Sequence, residues 1–379
     1  MVVAHSPLDA IGRGHWFKLI CGASYQDVAK VRNLALVYSL AGVDCIDLAA
    51  DLAVVHAVRQ GIDAARSLIP DISPLLMVSL NDGQDPHFRK ASFNPQSCPV
   101  NCSRPCEVVC PAEAIPPIRF VNGIRSQINN GVETERCYGC GRCLPVCPHG
   151  ILVEHAFQVS VEKILPTLLP YIDAVEIHTH TGRQDEFRKL WVQLASCVPK
   201  LKLVSVSCPD NESSHICIVS YLSELYNLMT PQPHWLIWQT DGRSMSGDIG
   251  RGTTHATIRL AQKVLNADLP GYVQLAGGTN GYTVTKLRSL NLLKNNHGHD
   301  PESPQRHISG VAYGSYARSL VDVGDEPLER YPERLWKQVG LAAGLVSQLK
   351  PDIWDSKGIA KFLFEYGLHP TKDCVELPP

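Results

Sequence analysis

At 379 residues, 44% hydrophobic and 19% charged with a formal net charge of −2, the chain has ample core-forming material and an even charge balance. That balance leaves no electrostatic footprint for nucleic acid, and no apolar stretch approaches the roughly 20 residues of a membrane-spanning helix. The opening MVVAHSPLDAIGRGHW lacks the apolar core of a secretion signal, so the fourteen cysteines point to a reducing cytoplasm and to metal ligation.

Short apolar runs alternate with helical periodicity from the start. Phe17–Ser24 reads as a strand, Val28–Ala41 as a helix and Asp44–Asp51 as a second strand. A helix over Val54–Leu68 and a strand at Leu75–Leu80 follow, and there the alternation stops.

The interruption, residues 85–155, holds eight cysteines. Cys137, Cys140, Cys143 and Cys147, followed by Pro148, spell C-x2-C-x2-C-x3-C-P, the run that wraps an iron–sulfur cube. Upstream, Cys98, Cys102, Cys106 and Cys110 precede Pro111 with three-residue gaps. In two-cluster ferredoxins the cysteine before proline serves the other cluster. The expected sets are therefore Cys98, Cys102 and Cys106 with Cys147, and Cys137, Cys140 and Cys143 with Cys110. Two [4Fe-4S] clusters follow, the upstream one labile or reduced to [3Fe-4S] because its wider gaps loosen the loop. Zinc would use two C-x2-C pairs or cysteine with histidine, leaving Cys143 and Cys147 superfluous. Arg104, Arg136 and Arg142 lie among the ligands, either favouring a reduced cluster or pairing with acidic groups. The remaining cysteines, Cys21, Cys45, Cys197, Cys208, Cys217 and Cys374, are expected to be core residues.

The alternation resumes with a helix at Val161–Tyr171, strand Ala174–His180 and a helix at Glu186–Ser196. Strand Leu201–Cys208, helix Ile216–Leu228, strand Trp235–Asp241 and helix Ala256–Leu265 come next. Strand Tyr272–Ala276, helix Thr283–Leu293, strand Gly310–Gly314 and helix Leu335–Leu349 complete the series. Asn291–Gln305 reads as an exposed loop; Trp235 and Trp238 read as core.

Eight strand–helix units close a (β/α)8 TIM-like barrel, which needs about 250 residues. An open doubly wound sheet also alternates, but the unit count and the length left after the insert favour the barrel. The division is residues 1–84 for the first part of the barrel, 85–155 for a ferredoxin-like dicluster insert, 156–350 for the remainder and 351–379 for a tail. An insert after the third strand stands at the C-terminal face, where barrel active sites lie.

That face carries polar residues a purely structural barrel would not need. Glu176, His178 and His180 share one side of the fourth strand by its two-residue period, and Gln239 and Asp241 share a side of the sixth. Lys18 in the first strand is a candidate ion-pair partner for Glu176. The two histidines offer two donors of a metal site that lacks a third, and hydrogen-bonded scaffold is the plainer reading. Gly277, Gly278, Gly314 and Ser315 lie in the loops that cradle phosphate in many barrels, or they permit tight turns. The glycine- and hydroxyl-rich stretch 242–254 follows the sixth strand. A phosphate-binding mouth would suit a flavin fed by the clusters, which makes an iron–sulfur oxidoreductase the alternative to a sensor.

Seven segments together, HWFKLICGAS, VRNLALVYSLAGVDCIDLAAD, DPHFRKASF, CYGCGRCLPVCP, EIHTHTGR, QTDGRSMSGDIG and VQLAGGTNGYT, resemble the light-dependent period family of oxygenic photosynthetic bacteria. The resemblance runs from Gly14 to about Leu349, and the barrel segments give it its specificity. It implies a non-catalytic iron–sulfur redox sensor that feeds light information into the circadian clock. Clock proteins and sensor kinases are the implied partners, with electron-transport components or a quinone upstream. The eight clustered cysteines match the family's cluster motifs, and no catalytic residues carry over.

Overall fold

The computed structural model describes residues 6–110, 112–117, 120–121, 124–125, 131–137, 139–156, 160–210, 216–242, 250, 252–294 and 307–352. Cys374, most of the expected loop at 291–305, most of 242–254 and nearly all of the tail lie outside them.

Eight parallel strands close on themselves. They are β1 (Trp16–Gly22), β2 (Cys45–Ala49), β3 (Leu75–Asn81), β4 (Ala174–His178), β5 (Leu203–Pro209), β6 (Leu236–Asp241), β7 (Tyr272–Ala276) and β8 (Gly310–Tyr313). Each pairs with its neighbour, and β1 pairs with β8 through Trp16↔Gly310 and Lys18↔Ala312 to seal the ring. The expected (β/α)8 barrel is the observed architecture.

The strands are buried on both faces, as a barrel wrapped by helices requires. Outward positions such as Phe17, Leu19, Ile46, Leu48, Val78, Val175 and Val206 join one large core with the helices. The alternate positions face in, and their character changes along the axis. Near the N-terminal end Trp16, Cys45, Leu75, Met77, Ala174, Leu203 and Ile237 form an apolar cluster with Ala10 and Ile11. Those two belong to a short helix, Pro7–Arg13, that closes the barrel floor. One turn higher, the inward positions are Lys18, Asp47, Ser79, Glu176, Ser205, Gln239 and Gln274, all buried.

The sequence did not announce the floor helix, because only Leu8, Ala10 and Ile11 give it an apolar face. Other departures sit at element ends. The helix expected to reach Tyr171 ends at Leu168, and the one expected to reach Leu293 ends at Ser289. The last helix starts earlier, at Pro332, because proline fits the first helical turn, and ends at Val346. A short helix, Ser315–Leu320, was not anticipated. Strand β4 ends at His178, so His180 lies just beyond it. Trp238 is buried and donates from Nε1 to the Pro270 carbonyl at 2.7 Å, whereas Trp235 is half-buried and stacks on Tyr272.

Between β3 and the helix at Val161–Leu168, the chain leaves the barrel and returns. Arg89–Ser92 pairs antiparallel with Val153–Ala156 to form the stem of this excursion. The insert has its own core, built on Ala91, Phe93, Ala112, Ala114, Ile115, Val132 and Leu152, with the clustered cysteines packed among them. Among the described residues, no helix is long and apolar enough to cross a membrane.

Candidate iron–sulfur centres and the barrel mouth

Among the described residues no disulfide joins any cysteines. Instead the thiols of the insert sort into two groups. Cys110, Cys137, Cys140 and Cys143 line one pocket, whose remaining walls include Ala91, Ala114, Ile115 and Val132. Cys106 feels the charges of Cys147 and Cys98, and Cys102 packs against the same core. Each group thus takes one sulfur from the other run.

Local backbone explains how the sulfurs are held. The Ala91 N–H donates to Cys137 Sγ at 3.4 Å, Ala114 to Cys110 at 3.3 Å and Arg104 to Cys102 at 3.4 Å. Such amide–sulfur bonds stabilise a thiolate. Cys147 shows the effect: burial opposes ionisation, but the amides of Ile151, His149, Leu152 and Gly150 lower its pKa on balance. Gly139 adopts φ +70°, and a side chain there would put its Cβ 2.1 Å from the Arg89 carbonyl oxygen. Only glycine lets the loop press against the stem at that point.

The group around Cys143 fits a cationic centre. Burial, then the neighbouring Cys140, Cys137 and Cys110, push the Cys143 thiol up to about 12. Burial likewise raises Cys140, with Cys110 and Cys137 adding to it. Four crowded thiols in an apolar bowl cannot readily ionise together unless a positive centre compensates them, which iron does.

Of the interspersed arginines, Arg104 pairs with Glu107 at 2.9 Å and Arg136 with Glu133 at 3.1 Å. Their charges are matched locally. Cys21, Cys45 and Cys208 are buried in the barrel, and Cys197 is half-buried. Cys217 departs from the core expectation. It is exposed at the N-cap of helix Ile218–Leu228, and hydrogen bonds from Ser220 and Val219 lower its pKa; it caps a helix end rather than filling a core.

At the barrel mouth Lys18 is wholly buried and forms a short ion pair with Glu176, with Asp47 Oδ2 at 3.6 Å. Ser205 donates to Glu176 at 2.9 Å, Gln239 at 2.7 Å, and Ser79 donates to Asp47 at 2.8 Å. Burial disfavours charge on Glu176, but Lys18 and His178 together outweigh it and the carboxyl stays well below its usual range. Asp47 moves the other way, because burial and the Glu176 charge outweigh the more distant lysine. Of the two carboxylates facing Lys18, Glu176 is therefore the one whose charge the site favours.

Above this pair, the insert reaches into the mouth. Asp85 Oδ1 lies 2.8 Å from His87 Nδ1, and Asp85 Oδ2 lies 2.8 Å from His180 Nε2. His178 stands between the layers, its Nε2 3.3 Å from Glu176 and its Nδ1 3.9 Å from Asp85. Asp241 Oδ2 lies 3.5 Å from His87 Nε2. Lys18, Glu176, His178 and Asp241 are thus brought together. Asp47, Asp85 and His87 join them without having been singled out. Asp47 was signalled by a charge in the middle of an apolar strand; Asp85 and His87 gave no local sign.

The glycine loops lie elsewhere on the rim. Gly277 and Gly278 adopt positive φ, and a Cβ on Gly278 would meet the Thr253 carbonyl oxygen at 2.6 Å. Thr253 donates to the Gly278 carbonyl at 2.7 Å, Thr279 to Ala312 at 2.6 Å and Asn280 to Gly250 at 2.9 Å. Gly314 caps the helix at Ser315–Leu320, and Arg318 ties Ser315 at 3.2 Å to the Ile20 carbonyl at 2.8 Å. These loops bond to the barrel itself.

Comparison with known proteins agrees with this geometry. Residues 98–158 match the LdpA Fe-S cluster-binding domain, and residues 169–348 match the Light dependent period A C-terminal domain. "Light dependent period A" of Synechococcus elongatus (strain ATCC 33912 / PCC 7942 / FACHB-805) is 48% identical over 357 residues, covering 92% of this chain and 94% of the relative. Among solved structures, a truncated 3-deoxy-D-arabino-heptulosonate 7-phosphate synthase from Thermotoga maritima is 10% identical, with TM-score 0.41 and coverage of 94% of this chain and 89% of that one. The YdjI aldolase from Escherichia coli K12 is 9% identical, with TM-score 0.42 and coverage of 94% and 97%. At that level neither substrate nor mechanism carries across.

Fold and insert together define an iron–sulfur protein carried on a (β/α)8 barrel. Within that class, the chain belongs to the Light dependent period A family.

Proposed function

We propose that this protein is a non-catalytic redox sensor that conveys the state of photosynthetic electron transport, and so of light, to the circadian clock and modulates its period. The relative's name supplies the physiological half of this reading. The observation that carries the chemical half is the sorting of the insert's thiols into two groups that exchange a sulfur.

On this reading Cys110, Cys137, Cys140 and Cys143 hold one [4Fe-4S] cluster. Cys98, Cys102, Cys106 and Cys147 hold the other, whose wider spacing favours a labile or three-iron form. Bound clusters of this type supply one-electron transfer, at potentials anywhere from roughly −700 to +450 mV. The chain's own groups do the rest. Backbone amides steady the sulfurs, and packing shields Cys98, Cys106, Cys137 and Cys143 from water. An open groove past Val108 and Arg142 reaches Cys110 and Cys140, giving an electron donor or quinone an approach.

A change of charge in the insert has a route outward. Lys90, whose charge is disfavoured by burial and supported by Cys137, donates to Gln26 at 2.8 Å and to the Thr134 carbonyl. Gln26 in turn donates to Asp51, the cap of helix Leu52–Leu68. A partner that distinguishes the two arrangements would shift their populations; clock proteins and sensor kinases in the cytoplasm are the proposed readers.

The test replaces Cys137 and Cys140 by serine. Anaerobic iron and acid-labile sulfide should fall from about eight of each per chain to about four, by ligand count. In cells the clock period should stop following light shifts. A wild-type light response alongside halved iron would overturn the sensor reading, and flavin absorption in anaerobically purified protein would move the assignment to an oxidoreductase.

A further inference from the structure

Asp85 and His87 come from the start of the insert and His178 from β4, yet the three meet at one point in the barrel mouth, with Asp241 of β6 beside His87. Ligand-type atoms of Asp85, His87 and His178 lie within 4.8 Å of one another. His87 presents its two ring nitrogens to two carboxylates, Nδ1 to Asp85 at 2.8 Å and Nε2 to Asp241 at 3.5 Å. Asp85 is 2% exposed, His178 5% and Asp241 4%, and only the His87 side chain, at 21%, reaches solvent.

A second observation points to a ligand. Asp241 Oδ1 is buried beside this cluster and makes no hydrogen bond among the described residues. Buried carboxylate oxygens are almost always bonded, and an orphan one marks a missing partner. His178 adds to this: its Nδ1 turns to Asp85, while its buried Nε2 faces Glu176 at 3.3 Å without hydrogen-bond alignment. A metal-bound imidazole commonly directs its far nitrogen at a carboxylate in this way. His180, at 2.8 Å from Asp85 Oδ2, is placed to orient that carboxylate.

Two imidazoles and the Asp85 carboxylate form a nitrogen–oxygen donor set suited to a borderline divalent cation, with Asp241 a second negative charge on the far nitrogen of His87. We propose that Asp85, His87 and His178, with Asp241 alongside, bind one divalent transition-metal ion of the zinc type. Its two positive charges match the two carboxylates. Its donors are distinct from the sulfurs of the insert, so the site is separate from the iron–sulfur centres. The ion would pin the first residues of the insert to β4 and β6.

The test uses the full chain, purified anaerobically with its clusters, equilibrated with zinc and desalted. Elemental analysis should return one retained zinc per chain, and the zinc absorption edge should show only nitrogen and oxygen neighbours, at about 2.0–2.1 Å. His87→Gln combined with His178→Gln should lower zinc affinity by more than about tenfold while iron content stays unchanged. If that double variant does not fold, Asp85→Asn carries the same expectation. Absence of retained zinc, sulfur neighbours at about 2.3 Å, or equal retention by the variants would overturn the proposal.

Discussion

Lys18 is a full charge held out of water, and its tolerance rests on two carboxylates and a ring of amides and hydroxyls. Removing one partner of a buried pair strands the other. Lys18→Met should therefore cost about 3–5 kcal/mol, and pairing it with Glu176→Leu should recover much of the loss; urea denaturation of the three variants measures both. Asp82 gives a pH signature. Burial lifts its carboxyl to about 6 despite hydrogen bonds from Thr179 and Arg183. The folded chain thus holds this proton more tightly than the unfolded chain. The stabilisation is complete below about pH 4 and is lost as pH rises through about 6, a span of about 3 kcal/mol. Asp82→Asn should gain on the wild type by that order between low and neutral pH, and parallel urea midpoints at both pH values would refute it. Lys18, Glu176, His178 and Asp241 were legible because a charge in an apolar strand needs an explanation. Asp85 and His87 were not, since their partners His178, His180 and Asp241 lie far along the chain.

At the scale of elements, the loop around Cys137–Cys143 combines two left-handed glycines with different tolerances. A Cβ at Gly139 strikes the Arg89 carbonyl, which is backbone and cannot move aside. At Gly141 the nearest atom is the Glu154 carboxylate at 3.3 Å, the end of a flexible side chain. Both alanine variants bear left-handed strain of about 1–2 kcal/mol. Gly139→Ala should in addition unseat the loop and lose about half of the bound iron, as the ligand count predicts; Gly141→Ala should retain most of it. Anaerobic iron analysis of the two separates these outcomes, and equal retention would refute the argument. The strands and long helices were readable because periods of two and of 3.6 survive in single sequences. Their ends were not, because capping depends on geometry: the chain turns off at His178 to meet Asp85, and nothing local to β4 says so.

In the whole molecule, the insert is joined to the barrel at several separate points. Gln26 donates its N–H to the Glu135 carbonyl at 2.9 Å, Lys90 reaches Gln26, and Arg136 lies 3.9 Å from Asp27. Asp85 and His87 occupy the mouth itself. A one-electron change in the insert should therefore alter hydrogen exchange at residues 26–31 and 133–137. The floor helix, Pro7–Arg13, closes the opposite end and should not respond. Anaerobic exchange measured on oxidised and dithionite-reduced protein tests this, and identical profiles would remove the proposed route. The barrel was foreseeable from the number of strand–helix units. The seating of the insert was not, because its contacts are single polar groups drawn from loops.

The traded sulfurs bear on biogenesis. Cys147 is the last of the eight to leave the ribosome, and it sits with Cys98 and Cys106, among the first. A nascent chain ending at Cys143 already has Cys110, Cys137 and Cys140, which form one complete basin. The earlier-made basin stays open until several more residues have been translated. Loading should then run against sequence order, with the downstream centre filled first and the upstream one depending on it for its frame.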